Sequence, residues 1–140
     1  MPLALVSCGV RGTMTRYEHL PIYKKVMELT IYFERIVRNF SRYHKYTLGS
    51  DLRQGSREIV GLIIKANSTV ERLTSLLELR ERLEGLMVLV RISKEVKAFS
   101  HFNSYAYAAD LLVELSRQNK GWIKSQREGH ITPADDRLGV

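Results

Sequence analysis

The sequence predicts an all-α protein that folds as an up-down-up-down antiparallel four-helix bundle. Three observations favour this fold class: apolar residues recur every three or four positions through four segments, the turns between the segments are short, and strand-like alternation of Val, Thr and Tyr is missing. The 140 residues are 44% hydrophobic and 26% charged, which is typical of one globular domain.

The first helix is predicted over residues 21–40, because Pro21 suits a first helical turn, where its missing N–H costs nothing. Its inward stripe is Ile22, Val26, Leu29, Phe33, Ile36 and Phe40. The turn "SRYHKYT" follows, and the second helix is predicted to begin between Tyr46 and Ser50. Its inward residues are Leu48, Leu52, Ile59, Ile63 and Ala66.

Ser68 and Glu71 have the S-x-x-E spacing of a capping box, which predicts the start of the third helix. Its apolar seam is Leu73, Leu76, Leu79, Leu83, Leu86 and Val90. Ser100 is the predicted cap of the fourth helix, whose stripe includes Phe102, Tyr105, Ala109, Leu112 and Ile123. Residues from Arg127 onward are polar and aperiodic. The predicted division is a flexible extension at 1–19, the bundle domain at 20–126 and a mobile tail at 127–140.

Three glycines, Gly49, Gly55 and Gly61, recur every six residues in the second helix. Glycine inside a helix costs about 1 kcal/mol relative to alanine, so their presence needs a reason. We interpret Gly55 and Gly61 as positions where helix backbones approach closely, and Gly49 as part of the first turn. The alternative is that they are exposed and merely tolerated.

The third helix has more apolar surface than one bundle buries. Leu86 to Val90 are five consecutive apolar residues, which cover every direction around a helix. A contiguous exposed apolar patch favours association, so the sequence predicts a homo-oligomer with this helix at the interface. The predicted interface residues are Leu77, Met87, Val88 and Leu89. Alternatively, the third helix lies at the centre of its own bundle.

The chain is basic, with 22 Lys and Arg against 15 Asp and Glu and a net charge of +7. Such a balance favours polyanionic partners. In an up-down bundle, the end of helix 1, the start of helix 2, the end of helix 3 and the start of helix 4 share one end, called here the basic pole. The cations predicted there to bind nucleic acid or a partner are Arg35, Arg38, Arg42, Lys45, Arg53, Arg57, Arg91, Lys94 and Lys97. His44 and His101 are expected at the same pole.

Arginine suits phosphate oxygens, and Tyr43 and Tyr46, which interleave with the charges, could stack on bases. Two other interpretations stay open. Late basic residues stabilise a helix dipole, and a charged run is often only a solvated face.

Cys8 is the single cysteine, so an intramolecular disulfide and a cysteine metal cluster are excluded and a reducing, cytoplasmic location is expected. Met14 resembles a natural start, which makes residues 1–13 an extension in this interpretation. No apolar run reaches the roughly 18–20 residues of a membrane span, so no membrane partner is expected. We also expect no cofactor and no metal.

Motifs of common enzymes are missing: the sequence has no E-x-x-H pair, no phosphate loop, no H-E-x-x-H and no G-x-S-x-G. One signature occurs in "RNFSRYH", where Arg38 precedes His44 by six residues. It resembles the R-x4–6-H motif of HEPN-type ribonucleases, in which the histidine would act in acid–base chemistry and the arginine would stabilise phosphate charge. A sequence this rich in arginine produces about one such match by chance.

The segment "LPIYKKVMELTIYFERIVRNFSRYHKYTLGSDLRQGSREIVGLIIKANS", with "GWIKSQ" later, resembles a known family. It is similar to the four-helix-bundle family of Avd, the accessory variability protein of diversity-generating retroelements, and to bundle proteins encoded within ribosomal RNA intervening sequences. The resemblance covers about residues 20–126, and its markers are Leu20-Pro21, Leu48-Gly49 and Gly121-Trp122.

The resemblance implies a basic, barrel-like homopentamer that binds RNA or DNA and the reverse transcriptase of the retroelement. In that role it would support mutagenic retrohoming, and the family supplies no catalytic residues to transfer. Gly121 and Trp122 would be packing residues. A HEPN-like ribonuclease using Arg38 and His44, and a purely structural bundle protein, are the alternatives. The residues alone fix neither the oligomer number nor the nucleic acid.

Overall fold

The computed structural model describes the backbone of residues 17–139 and the side chains of residues 17–129. Four long helices account for most of it: α1 (Pro21–Ile36), α2 (Leu48–Ser68), α3 (Arg72–Glu95) and α4 (Phe102–Gly139). A 3-10 turn at Val37–Asn39 and a one-turn helix at Arg42–Lys45 connect α1 to α2. No strand occurs between residues 17 and 139. Cys8 lies outside the described residues, as does the predicted extension at 1–19 except for residues 17–19.

The helices form the predicted four-helix bundle. Each packs on the helix that follows it in the chain, and α4 closes the bundle by packing on α1. The centre is filled by fully buried side chains from all four helices, among them Phe33, Leu52, Leu79 and Leu112. The short connections and this closed packing make neighbouring helices antiparallel.

The predicted stripe of α1 is confirmed, because Ile22, Val26, Leu29 and Phe33 are buried. The helix begins as expected, with Leu20 as an extended N-cap before Pro21. It ends at Ile36 rather than at residue 40, since the chain tightens into the 3-10 turn.

The capping-box prediction at the start of α3 is wrong. Ser68 is the last residue of α2, and its hydroxyl donates to the Lys65 carbonyl at 3.3 Å within that helix. Glu71 occupies the N-cap of α3 without a capping hydrogen bond from its side chain. The predicted seam of α3 is confirmed at Leu76, Leu79, Leu83, Leu86 and Val90, which are buried.

In α4, Leu112 and Ile123 are buried as predicted, but Phe102 is 66% exposed. The reason is that Phe99, one turn earlier in the chain, fills the buried position instead. The helix also continues to Gly139, past the predicted end near Arg127. The domain boundaries and the mobility of the tail stay predictions.

The glycines of α2 have different roles. A methyl group on Gly55 would lie 3.0 Å from Leu86 Cδ1, which confirms a close approach of α2 and α3. A methyl group on buried Gly49 would lie 2.5 Å from Val37 Cγ1 and 3.2 Å from the His44 carbonyl oxygen. The same prediction is wrong for Gly61, because a methyl group there would meet nothing within 4 Å.

Candidate nucleic-acid interface

The basic pole exists as a single end of the bundle. The rings of Phe40 and Phe99 meet edge to face with centroids 5.4 Å apart, so the α1–α2 and α3–α4 connections are in contact. Nearby, the Tyr32 hydroxyl on α1 donates to the Ser104 carbonyl on α4 at 3.3 Å. The end of α1, the start of α2, the end of α3 and the start of α4 therefore lie together, as the topology predicts.

Most predicted cations of the pole point into solvent without an acidic partner. Within residues 17–129, no carboxylate lies within ion-pair distance of these side chains. The exposed members of this set are Arg35, Arg38, Arg42, Arg91 and Lys97. Lys45 is half-buried and also lacks an ion pair there. Uncompensated positive charge at one end of the bundle attracts polyanions.

Lys97 has an unusual backbone conformation. It is the only non-glycine residue with positive φ, at 63°, among the described residues. Its N–H donates to the Lys94 carbonyl at 3.0 Å, and the N–H of Ala98 donates to the Ser93 carbonyl at 2.8 Å. These bonds form a Schellman motif at the end of α3, in which glycine is usual at the position of Lys97. A lysine here costs stability of the order of 1 kcal/mol and places a charge at the pole.

Arg53 and Arg57 are held differently from the other predicted cations. Arg53 Nε lies 3.3 Å from one carboxylate oxygen of Glu34, and its Nη2 donates to the Glu34 carbonyl at 3.4 Å. Arg57 pairs with the other carboxylate oxygen. Glu34 thus binds both arginines across the α1–α2 face, so binding of a phosphate by either would compete with this pair.

Lys94 is also partly engaged. Its ammonium lies 3.4 Å from a carboxylate oxygen of Glu95 and 5.1 Å from the ring centre of Tyr105. A cation over a ring is attracted to its π face, which holds Lys94 beside the aromatic groups of the pole.

Three aromatic side chains of the pole are exposed. Tyr43 is 75%, Tyr46 69% and Phe102 66% exposed. The sequence predicts Tyr43 and Tyr46 as stacking residues, but it predicts Phe102 as part of the inward stripe of α4. Both Phe99 and Phe102 lie near the predicted start of the fourth helix, and the sequence carries no signal that shows which of the two rings is buried.

Arg38 and His44, the pair of the ribonuclease alternative, lie on separate parts of the α1–α2 connection. Arg38 is exposed in the 3-10 turn, and His44 is half-buried in the one-turn helix with its ring 5.2 Å from that of Tyr43. No hydrogen bond joins the two side chains in the described part of the chain. The buried Nδ1 of His44 has no hydrogen-bond partner among those residues.

Within the described residues, no three or more His, Cys, Asp or Glu side chains are grouped so as to hold a metal ion. In the same part of the chain, no helix combines the length and apolar character needed to cross a membrane.

Among the predicted interface residues of α3, Val88 is exposed, whereas Leu77, Met87 and Leu89 are half-buried. Val88 is 56% exposed, and with half-buried Met87 it lines a groove of about 550 Å³ between α3 and α4. Val113 on α4, 48% exposed, forms the opposite wall. Leu77, Met87 and Leu89 all pack against the core of their own bundle. Exposed apolar surface therefore lies in the α3–α4 groove at Val88 and Val113, and also at Ile92 and Val96 towards the end of α3. The role of the groove in oligomerisation stays a prediction.

The bAvd-like family model matches residues 20–126, from the N-cap of α1 into the second half of α4. The chain belongs to the bAvd-like family. This match covers more than half of the chain and the whole basic pole. The Avd family of diversity-generating retroelements consists of accessory proteins rather than known enzymes. Comparison with curated proteins finds no match for the chain.

Proposed function

We propose that this bAvd-like protein is a non-enzymatic accessory of a diversity-generating retroelement. It binds RNA or DNA through the basic pole, binds the reverse transcriptase of the element, and supports mutagenic retrohoming. Family membership supports the accessory role. The observation that carries nucleic-acid binding is the group of exposed cations at one end of the bundle, of which Arg35, Arg38, Arg42, Arg91 and Lys97 have no ion pair with a described acid.

The physical basis is release of counterions. Each phosphate that an arginine or lysine neutralises frees condensed cations, so affinity falls steeply as salt concentration rises. Arginine adds paired hydrogen bonds to phosphate oxygens. Assembly of several copies through the α3–α4 groove would multiply this effect, because each copy contributes one pole. The pentameric state is part of the proposal and comes from the family alone.

The test is charge reversal at the pole. Arg38, Arg42 and Lys97 are each replaced by Glu, and binding of labelled RNA and DNA is measured by fluorescence anisotropy across a salt series. The matched control reverses three exposed cations outside the pole: Lys65, Lys124 and Arg127. The pole variant should lose most of its affinity at unchanged helicity, and the control should lose much less. Equal affinity in wild type and pole variant would reject the proposal.

The reverse-transcriptase partner is tested separately. A gene for a reverse transcriptase with template and variable repeats should lie beside the gene for this chain, and the two proteins should co-purify. A locus without these elements would remove the retroelement part of the proposal and leave a basic bundle protein.

A further inference from the structure

Exposed aromatic rings are concentrated at the basic pole. Tyr43, Tyr46 and Phe102 are at least two-thirds exposed, whereas Phe33, Phe40 and Phe99 are buried. Phenylalanine and tyrosine rings usually contribute their large apolar area to a core or an interface. Three rings left in solvent, among cations, indicate a surface that binds a ligand with both flat apolar groups and negative charge.

The ring of Phe102 has a fixed support. It packs on Tyr105 with centroids 5.6 Å apart, Tyr105 lies 6.3 Å from Phe99, and Phe99 meets Phe40 at 5.4 Å. This row of rings runs from the buried core to the surface. Because its inner members are held by packing, its outer member is presented to solvent with little freedom to lose on binding.

The tyrosines lie on the connection between α1 and α2. The Thr47 hydroxyl donates to the Tyr43 carbonyl at 2.9 Å, which ties the one-turn helix to the start of α2. In "RYHKY" the rings alternate with charges: Arg42 precedes Tyr43, and Lys45 precedes Tyr46. Cations and rings therefore share one short segment, and a single strand presents phosphates and bases together.

Duplexes and single strands present different chemistry to such a surface. In a duplex the base faces are stacked inside, and only phosphates and groove edges are accessible. In a single strand the base faces are free and stack on aromatic side chains without regard to sequence. Cations alone would bind the phosphates of a duplex or of a single strand. Exposed rings would add affinity only for a single strand, because only its base faces are accessible for stacking.

We propose that the basic pole binds unpaired nucleic acid by stacking bases on Tyr43, Tyr46 and Phe102 while Arg38, Arg42 and Lys97 bind the phosphates. This inference rests on the proposed nucleic-acid binding and specifies its substrate: a single-stranded segment rather than a duplex. Stacking is the same for ribose and deoxyribose strands, so RNA and DNA are separate arms of the test.

The experiment compares two sets of variants at unchanged net charge. In the first, Tyr43, Tyr46 and Phe102 are all replaced by Ala. In the second, Tyr43→Phe and Tyr46→Phe keep the rings and remove only the hydroxyls. Anisotropy probes of about 20 nucleotides are a single-stranded RNA, a single-stranded DNA, the DNA duplex of the same sequence and an abasic sugar–phosphate strand. Val70→Ala, at a 97% exposed position in the α2–α3 connection away from the pole, is the surface control.

The alanine set should weaken single-strand binding at least about tenfold, as expected for loss of base–aromatic stacking. Binding of the duplex and of the abasic strand should change less than about twofold, and the salt slope should stay the same because the phosphate contacts remain. The phenylalanine set and Val70→Ala should bind as wild type does. Preference for RNA over DNA, or the reverse, identifies the strand that the rings and cations fit best.

A second measurement works on the wild-type chain and does not depend on how the variants fold. A single strand carrying 5-iodouracil is irradiated in the complex, and adducts are mapped by mass spectrometry. Adducts at Tyr43, Tyr46 or Phe102 support the stacking surface, and adducts confined to other parts of the chain overturn it.

Failure of the inference differs from failure of the proposed function. If wild type binds none of the probes at low salt, nucleic-acid binding itself is wrong. If wild type binds duplex and single strand equally and the alanine set changes neither, the pole binds by charge alone and the stacking surface is wrong. An equal loss for single strand, duplex and abasic strand also overturns stacking, because the rings would then only support the fold.

Discussion

Gly49 shows how one missing side chain sets the geometry of the basic pole. Its Cα lies so close to Val37 that a methyl group would reach 2.5 Å from Cγ1, and 3.2 Å from the His44 carbonyl oxygen. The absence of a side chain lets the start of α2 pack against the turn that carries Arg38, Arg42 and Tyr43. The position of the cations therefore depends on a residue that bears no functional group.

Gly49→Ala should destabilise the fold by about 1–3 kcal/mol, because the added methyl overpacks a buried contact with backbone on one side. Gly61→Ala is the matched control, because the added methyl group would meet nothing within 4 Å. Replacing a glycine inside a helix by alanine should stabilise the protein by about 0.5–1 kcal/mol. Urea unfolding followed by circular dichroism measures both. Shifts of the same sign for the two variants would contradict the assignment.

Lys97 is a second residue at which function and stability are expected to oppose each other. Lys97→Gly should stabilise the protein by about 1 kcal/mol, because glycine adopts φ of 63° without steric cost. Lys97→Ala keeps the strain and should leave the free energy of unfolding nearly unchanged.

Both Lys97 variants remove the same charge, so both should weaken RNA and DNA binding equally. Thermal unfolding and anisotropy on the same samples separate the two effects. A glycine variant no more stable than the alanine variant would show that the backbone there is not strained.

At the scale of elements, the pairing of α1 with α2 controls how many cations the pole offers. Glu34→Gln should remove the ion pairs of Arg53 and Arg57, raise affinity for nucleic acid and steepen its salt dependence, while Arg53 keeps its hydrogen bond to the main-chain carbonyl at position 34. Because these groups are partly exposed, the accompanying loss of stability should stay below about 1 kcal/mol.

The control is Glu58→Gln, which changes net charge by the same amount but removes the ion pair of Glu58 with Arg82 on the α2–α3 face, where Arg82 keeps its pair with Glu78 at 3.6 Å. Salt titrations of both variants provide the comparison. If Glu58→Gln raised affinity as much as Glu34→Gln, the gain would reflect overall charge and not the two arginines.

The helices themselves could be predicted because apolar burial dominates their stability. The seams of α1, α2 and α3 follow from a period of three to four residues, and almost all of their members are buried. The helix ends depend on finer balances. The pattern S-x-x-E is compatible with Ser68 either capping α3 or ending α2. In the structure the Ser68 hydroxyl donates to the Lys65 carbonyl within α2, so Ser68 does not cap α3.

The candidate site was predictable in part. Topology alone places the cations at one pole, because short connections return successive helices to the same end. The sequence could not show that Glu34 binds Arg53 and Arg57, since that depends on how α1 and α2 are rotated against each other. The sequence also could not show whether Phe99 or Phe102 is the ring that is buried at the start of α4.

For the whole molecule, the α3–α4 groove is the surface expected to join copies of the chain. Val88→Asp together with Val113→Asp should dissociate the oligomer, because each aspartate would have to lose its hydration in an apolar contact. Val70→Asp, at the fully exposed position between α2 and α3, should have no effect. Light scattering measures the mass of all three proteins. A wild type that is already monomeric, or a double variant that stays assembled, would contradict this role of the groove.

Asn119, buried on α4, donates its amide to the Leu76 carbonyl on α3 at 3.1 Å. Leucines are interchangeable along a seam, so two helices held by them alone could slip past each other by one turn with little penalty. Slippage here would strand the amide among aliphatic side chains without an acceptor, which costs about 1–3 kcal/mol. The Asn119 side chain thereby fixes the register of α4 against α3. The same register sets the relative positions of the aromatic rings and cations that these two helices carry at the basic pole.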